Sequence, residues 1–166
     1  MSQNLQGANG LSIAFNSGAL ARATTASLVK STVAIAYCLA GKFVTSKAIT
    51  DNIPFTIEPN SGIVPTAPNS FKTLQAGESC AFGVLLDSAG TVTFIQGDVV
   101  PNGQLCPVPN APAGLTSTAG AGAKVLVGAL KVANTTNPFI PGTTLLSATG
   151  VTDTYFNFAS HPGTPI

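Results

Sequence analysis

The chain reads as an all-β protein: an antiparallel β-sandwich or barrel-like domain preceded by an extended N-terminal arm. Three observations lead there. Apolar residues recur at period two in short stretches, Gly- and Pro-rich turns separate those stretches at intervals of about ten residues, and no helical pattern of ten or more residues follows residue 31. A length of 166 residues suits one domain with an arm. The boundary is set at 1–30 for the arm and 31–166 for a single β-rich domain.

The arm opens with a polar, Gly-containing segment, Ser2 to Gly10, in place of the charged and apolar regions of a secretory signal. Leu11-Ser12-Ile13-Ala14-Phe15 then alternates at period two and suits an extended segment that lays apolar side chains onto a neighbour. Ser17 to Lys30 has a possible helix cap in Ser17, but its Thr pair favours extended structure, because β-branched residues lose rotamer freedom in a helix.

The strands follow in order. Val33, Ile35, Tyr37 and Leu39 share one face, and Ala40-Gly41-Lys42 turns the chain back into Phe43-Val44-Thr45 as a hairpin. Ile53, Phe55 and Ile57 repeat the period, with Pro54 confining that strand to an edge. Residues 60–69 are a loop. Cys80 to Leu86 and Thr91 to Ile95 flank Asp87-Ser88-Ala89-Gly90, whose Asp and Gly suit a type I turn; the second strand should have one buried and one mixed face. Pro101 to Gly122 holds four prolines and four glycines and reads as a long loop. Val125 to Val132 is a buried strand, Asn134 to Thr144 an excursion presenting Phe139 and Ile140, and Thr152 to Phe158 the closing strand.

Composition excludes several classes of function. Charged residues are 8% of the chain, against about 25% in an ordinary domain, and the net charge is +1. No electrostatic footprint for nucleic acid or for an anionic membrane exists. Thr, Ser, Asn, Gly and Pro take the place of the charges. So few charges give a lone monomer little protection against self-association, which points to life inside an assembly. The apolar run Thr32 to Ala40 is about half a membrane span. Cys38, Cys80 and Cys106 lack metal or disulfide-framework spacing and read as buried thiols of a protein made in a reducing cytoplasm.

Several blocks together carry a family resemblance. They are Lys47-Ala48-Ile49-Thr50-Asp51-Asn52-Ile53-Pro54-Phe55, Leu86-Asp87-Ser88-Ala89-Gly90-Thr91-Val92-Thr93, and Gln96-Gly97-Asp98. Further along come Val127 to Val132, Pro138 to Leu146 and Gly150 to Tyr155. In order and spacing, over residues 30–160, the chain resembles virion structural proteins of tailed bacteriophages, of the head decoration, cement or head-fibre type. The resemblance implies a capsid-surface protein of the virion, made in the host cytoplasm, with the major capsid protein and itself, as a homotrimer, for partners. It implies no catalytic residue, metal or cofactor. Under this reading Leu11, Ile13, Phe15 and Leu20 of the arm, with Phe139 and Ile140, are the candidate capsid or subunit interface. The bland alternative is that the arm residues cover the domain's own core.

Two other functions fit the sequence less well. A tail-fibre or adhesin module binding a host glycan would want Trp and Tyr platforms, and the chain has no Trp and two Tyr. A small hydrolase would have to use His161, the sole histidine, with Cys80 or a serine. Gly77-Glu78-Ser79-Cys80-Ala81 departs from the nucleophile elbow at its last position and precedes a strand instead of a helix. Asp87 reads as a turn residue and Lys124 as a strand-edge charge.

Overall fold

A computed structural model describes residues 12–39, 42–58, 71–109, 123–157 and 166, with the backbone alone at 42–46. Among these residues there are ten strands: β1 Ile13–Ala14, β2 Leu20–Arg22, β3 Val29–Ser31, β4 Ile35–Leu39, β5 Lys42–Lys47, β6 Glu78–Asp87, β7 Val92–Gln96, β8 Val100–Pro101, β9 Lys124–Asn134 and β10 Val151–Phe156. There is no helix among the described residues, and every pairing between named strands is antiparallel. The chain is all-β.

The largest sheet has the order β10-β9-β6-β7, with β8 also paired to β6; β1-β4-β5 form a second sheet and β2-β3 a hairpin. β6 and β9 are the longest strands and are buried over nearly their whole length. Both faces of this pair are covered, which is why their sequences run as continuous apolar stretches instead of alternating. One face carries Phe82, Val84, Leu86, Phe94, Val125, Val127 and Leu130, packed with Ala14, Ile35, Tyr37 and Leu39 of the second sheet. The other face carries Leu85, Ile95, Leu126 and Ala129 beneath Val108 and Ile166. The β6–β9 register passes from Val84↔Gly128 to Leu85↔Leu126, leaving Val127 as a bulge.

The β6–β7 turn is built as its sequence prescribes. Asp87 Oδ1 accepts from the amides of Ala89 (2.9 Å) and Thr91 (2.8 Å), and Gly90 takes φ +79°. The β4–β5 hairpin, the buried β9 and the closing strand also form where expected.

Elsewhere the structure corrects the reading. Val33 lies outside β4 and is 44% exposed, because the Thr32 and Val33 amides both bond the Gly18 carbonyl and turn the chain off the strand line. Ile53 to Ile57 is not a strand: Ile53 exchanges backbone bonds with Val29, and Ile57 makes one parallel bridge to Phe94. Pro54 lacks the N–H that a continuous ladder needs. All of β7 is buried, the expected mixed face included. Of the long loop, residues 101–109 are described, and they bury Cys106 and Val108; residues 60–69 and 110–122 lie outside the described residues.

The arm is also redrawn. From Ser12 onward the chain is woven into the domain: β1 pairs with β4, and Ala14, Leu20 and Val29 are buried in the main core. Short apolar segments that find an unpaired strand edge in their own chain pair with it at once, since unpaired backbone groups and exposed apolar faces both cost free energy.

Candidate functional site

The β1–β4 pair sorts its side chains by pleat. Ala14 stands opposite Tyr37 and both point into the core, at 1% exposure each. Ile13 stands opposite Cys38, so these two lie on the outer face. The ladder continues past β1: Phe15 N donates to Ala36 O at 2.8 Å, which places Phe15 beside Ala36 on that same outer face. Asn16 then braces the segment, its Nδ2 donating to Ala34 O (2.8 Å) and its Oδ1 accepting from Ala36 N (2.7 Å). Phe15 is thereby held 56% exposed on a backbone fixed at both ends.

On β1, β4 and the residue that extends β1, the described side chains of the outer face are Ile13, Phe15, Ala36 and Cys38, all apolar or thiol-bearing. An antiparallel sheet with one face in water normally alternates to polar residues there. An apolar outer face centred on a fixed phenylalanine has the chemistry of a protein-binding surface.

The described candidate interface residues fall into three groups. Ile13 and Phe15 sit together on this face. Leu20 and Phe139 are 4% and 0% exposed and belong to the main core, so neither is available to a partner. Phe139 is drawn inward because its backbone exchanges two bonds with Leu74. Ile140 points the other way at 47% exposed, on a turn where its carbonyl accepts from Thr143 and Thr144 and its amide donates to Thr144 Oγ1. Leu11 lies outside the described residues.

Lys124 is buried, and its Nζ pairs with Glu58, itself 1% exposed. Thr93 Oγ1 donates to Glu58 Oε2 at 2.7 Å and accepts from Lys124 Nζ at 3.1 Å. This corrects the strand-edge reading of Lys124: the first residue of β9 is buried against Glu58 and Thr93. Two positions 66 apart in sequence leave no local signal by which the pair could have been found.

Arg22 of β2 pairs with Asp153 of β10, which also accepts from Tyr155 Oη at 2.8 Å. Burial pushes the Asp153 carboxyl up, but the bonds from Arg22 and Tyr155 outweigh it, and the net pKa lies below the ordinary carboxylate value.

The cysteines form no disulfide. Cys80 and Cys106 are both fully buried, and they lie on opposite sides of β6. Cys80 belongs to the main core beside Phe82, while Cys106 Sγ contacts the hydroxyl of Ser79, the preceding residue on the alternate face. Burial pushes the Cys80 thiol up to about 12, so it is neutral at ordinary pH and a poor nucleophile. Ser79 is likewise buried within β6. His161 lies outside the described residues. Cys38, half-buried on the outer apolar face, is the accessible thiol among the three.

No family model, no curated protein and no solved structure matches this chain.

Proposed function

We propose that this chain is a capsid decoration, or cement, protein of a tailed bacteriophage. It binds the outer surface of the phage head and stabilises the shell by non-covalent interfaces, as a homotrimer whose sheets pack as a sandwich. The resemblance of the sequence blocks supplies the particle. The observation that carries the binding role is the apolar outer face of β1–β4, with Ile13, Phe15, Ala36 and Cys38 held by the Asn16 brace. Work of this kind needs no chemistry: an interface of roughly 1,600 Å² holds two proteins firmly by burial alone.

The first test is copy number per purified particle, by quantitative gel densitometry against the major shell protein. Hundreds of copies in simple ratio to the shell are expected; a handful would move the protein to the tail and to a receptor-binding role. The face itself is read by Cys38. Alkylation of the unattached protein should modify Cys38 and spare Cys80 and Cys106, and attachment to capsids should protect Cys38. Phe15→Asp should abolish attachment while leaving the fold intact, since the side chain is exposed. A truncation of residues 1–20 is unsuitable, because it removes Ala14 and Leu20 from the core.

A further inference from the structure

Away from that face, the β6–β7 turn and the segment 47–56 enclose an open groove of about 220 Å³. Its lining divides by chemistry. Ile53 and Val92, both buried, form the floor with Pro54 as an apolar wall. Thr50, Asn52, Thr56 and Thr91 also line it, and Lys47 is the charged residue among the described lining.

The ammonium of Lys47 has a defined place. A Cβ built on Gly90 would lie 3.8 Å from Lys47 Cδ and 3.9 Å from its Nζ, so the lysine side chain extends over the turn. It takes part in neither ion pair found among the described residues. The carboxylates of the two flanking segments make bonds elsewhere: Asp87 Oδ1 accepts from the turn amides, and Asp51 accepts from the Thr24 amide (3.1 Å) and hydroxyl (2.6 Å). Asn52 holds φ +55° and spends its Oδ1 on the Thr25 amide (2.9 Å), which leaves its Nδ2 as a donor; Thr50 Oγ1 donates to Ala48 O and can still accept.

From this lining we infer that the groove binds a single carboxylated sugar ring, a uronate, with the carboxylate on Lys47. The volume is below that of sites for larger ligands and suits one ring. A neutral sugar would leave the ammonium without its partner, and an inorganic anion would leave the apolar floor unused. A uronate satisfies both, presenting a CH face to Ile53, Pro54 and Val92 and hydroxyls to the Thr and Asn groups. Without an aromatic platform and with one open side, the affinity is millimolar. This binding is independent of the capsid face, and its failure would leave that reading untouched.

The test is an NMR titration of the full-length protein with glucuronate, glucose and sulfate in parallel. Saturable shifts confined to Ile53, Gly90, Thr91 and Val92 are expected with glucuronate, with glucose and sulfate at least about tenfold weaker. Lys47→Ala should weaken the glucuronate response by about tenfold or more with the rest of the spectrum unchanged, and Thr56→Val should weaken it less. No shifts at these residues, an equal response to sulfate, or wild-type binding by Lys47→Ala would each overturn the proposal.

Discussion

Single side chains at the margins of the core decide much of this protein's stability. Glu58, Lys124 and Thr93 form a closed polar knot in which each member's bonds depend on the other two. Removing one charge leaves the other buried without compensation, whereas removing both leaves an apolar site. Lys124→Met should therefore cost about 3–5 kcal/mol in urea unfolding, and the double change Glu58→Leu with Lys124→Met should recover most of that loss. A double variant no better than the single one would show that packing, not charge, sets the cost. Asp153 gives a pH dependence of definite sign. Its folded pKa is depressed, so its contribution is complete above the ordinary carboxylate value near 3.8 and is lost as pH falls from there through the folded value. The stability gap between wild type and Asp153→Asn, followed by thermal unfolding, should be constant from pH 6 to pH 5 and should close on further acidification.

At the scale of elements, β9 is the strand on which the others converge. It pairs with β6 and β10, its Val125, Val127 and Leu130 face the second sheet, and Leu20 of β2 crosses it at Gly128. The crossing needs a residue without a side chain: a Cβ at Gly128 would stand 2.6 Å from Leu20 Cδ1 and 2.9 Å from the Phe156 carbonyl oxygen. The second neighbour is backbone and cannot swing aside. Gly128→Ala should destabilise the protein by about 1–3 kcal/mol, read as a lower urea midpoint with an unchanged slope. Elements whose code is local were legible: the β6–β7 turn lies in Asp87 and Gly90, and the β4 pleat in Ile35, Tyr37 and Leu39. Elements whose code is distant were not. Ile53 and Ile57 carry strand periodicity, yet Pro54 and the pull of two different partners, Val29 and Phe94, hold them as separate bridges.

For the whole molecule, the distribution of apolar surface connects fold to function. The core is closed from both sides of the five-stranded sheet, and the large apolar side chains left exposed among the described residues are Phe15 beside Ile13, Ile140 and Leu145 on one turn, and Val33, Ile49 and Leu105 at separate places. A chain with 8% charged residues has little on its surface to oppose association at such places. The capsid attachment proposed for the first face and the sugar binding proposed for the Lys47 groove are separable by variants. Phe15→Asp should leave the glucuronate titration unchanged, and Lys47→Ala should leave particle copy number unchanged.

Composition and period by themselves determined the all-β class, the principal hairpins and the near absence of charge chemistry, because each is written in residues adjacent or alternate along the chain. Period also set Leu11, Ile13 and Phe15 at alternate positions of one extended segment. Only the tertiary structure decided which apolar residues remain outside. Leu20 and Ile13 look alike in sequence, but Leu20 crosses Gly128 and is buried, while Ile13 shares the outward pleat with Phe15. The Glu58–Lys124 knot and the Lys47 groove were decided there too, since each joins segments remote in sequence whose meeting depends on how the sheets pack.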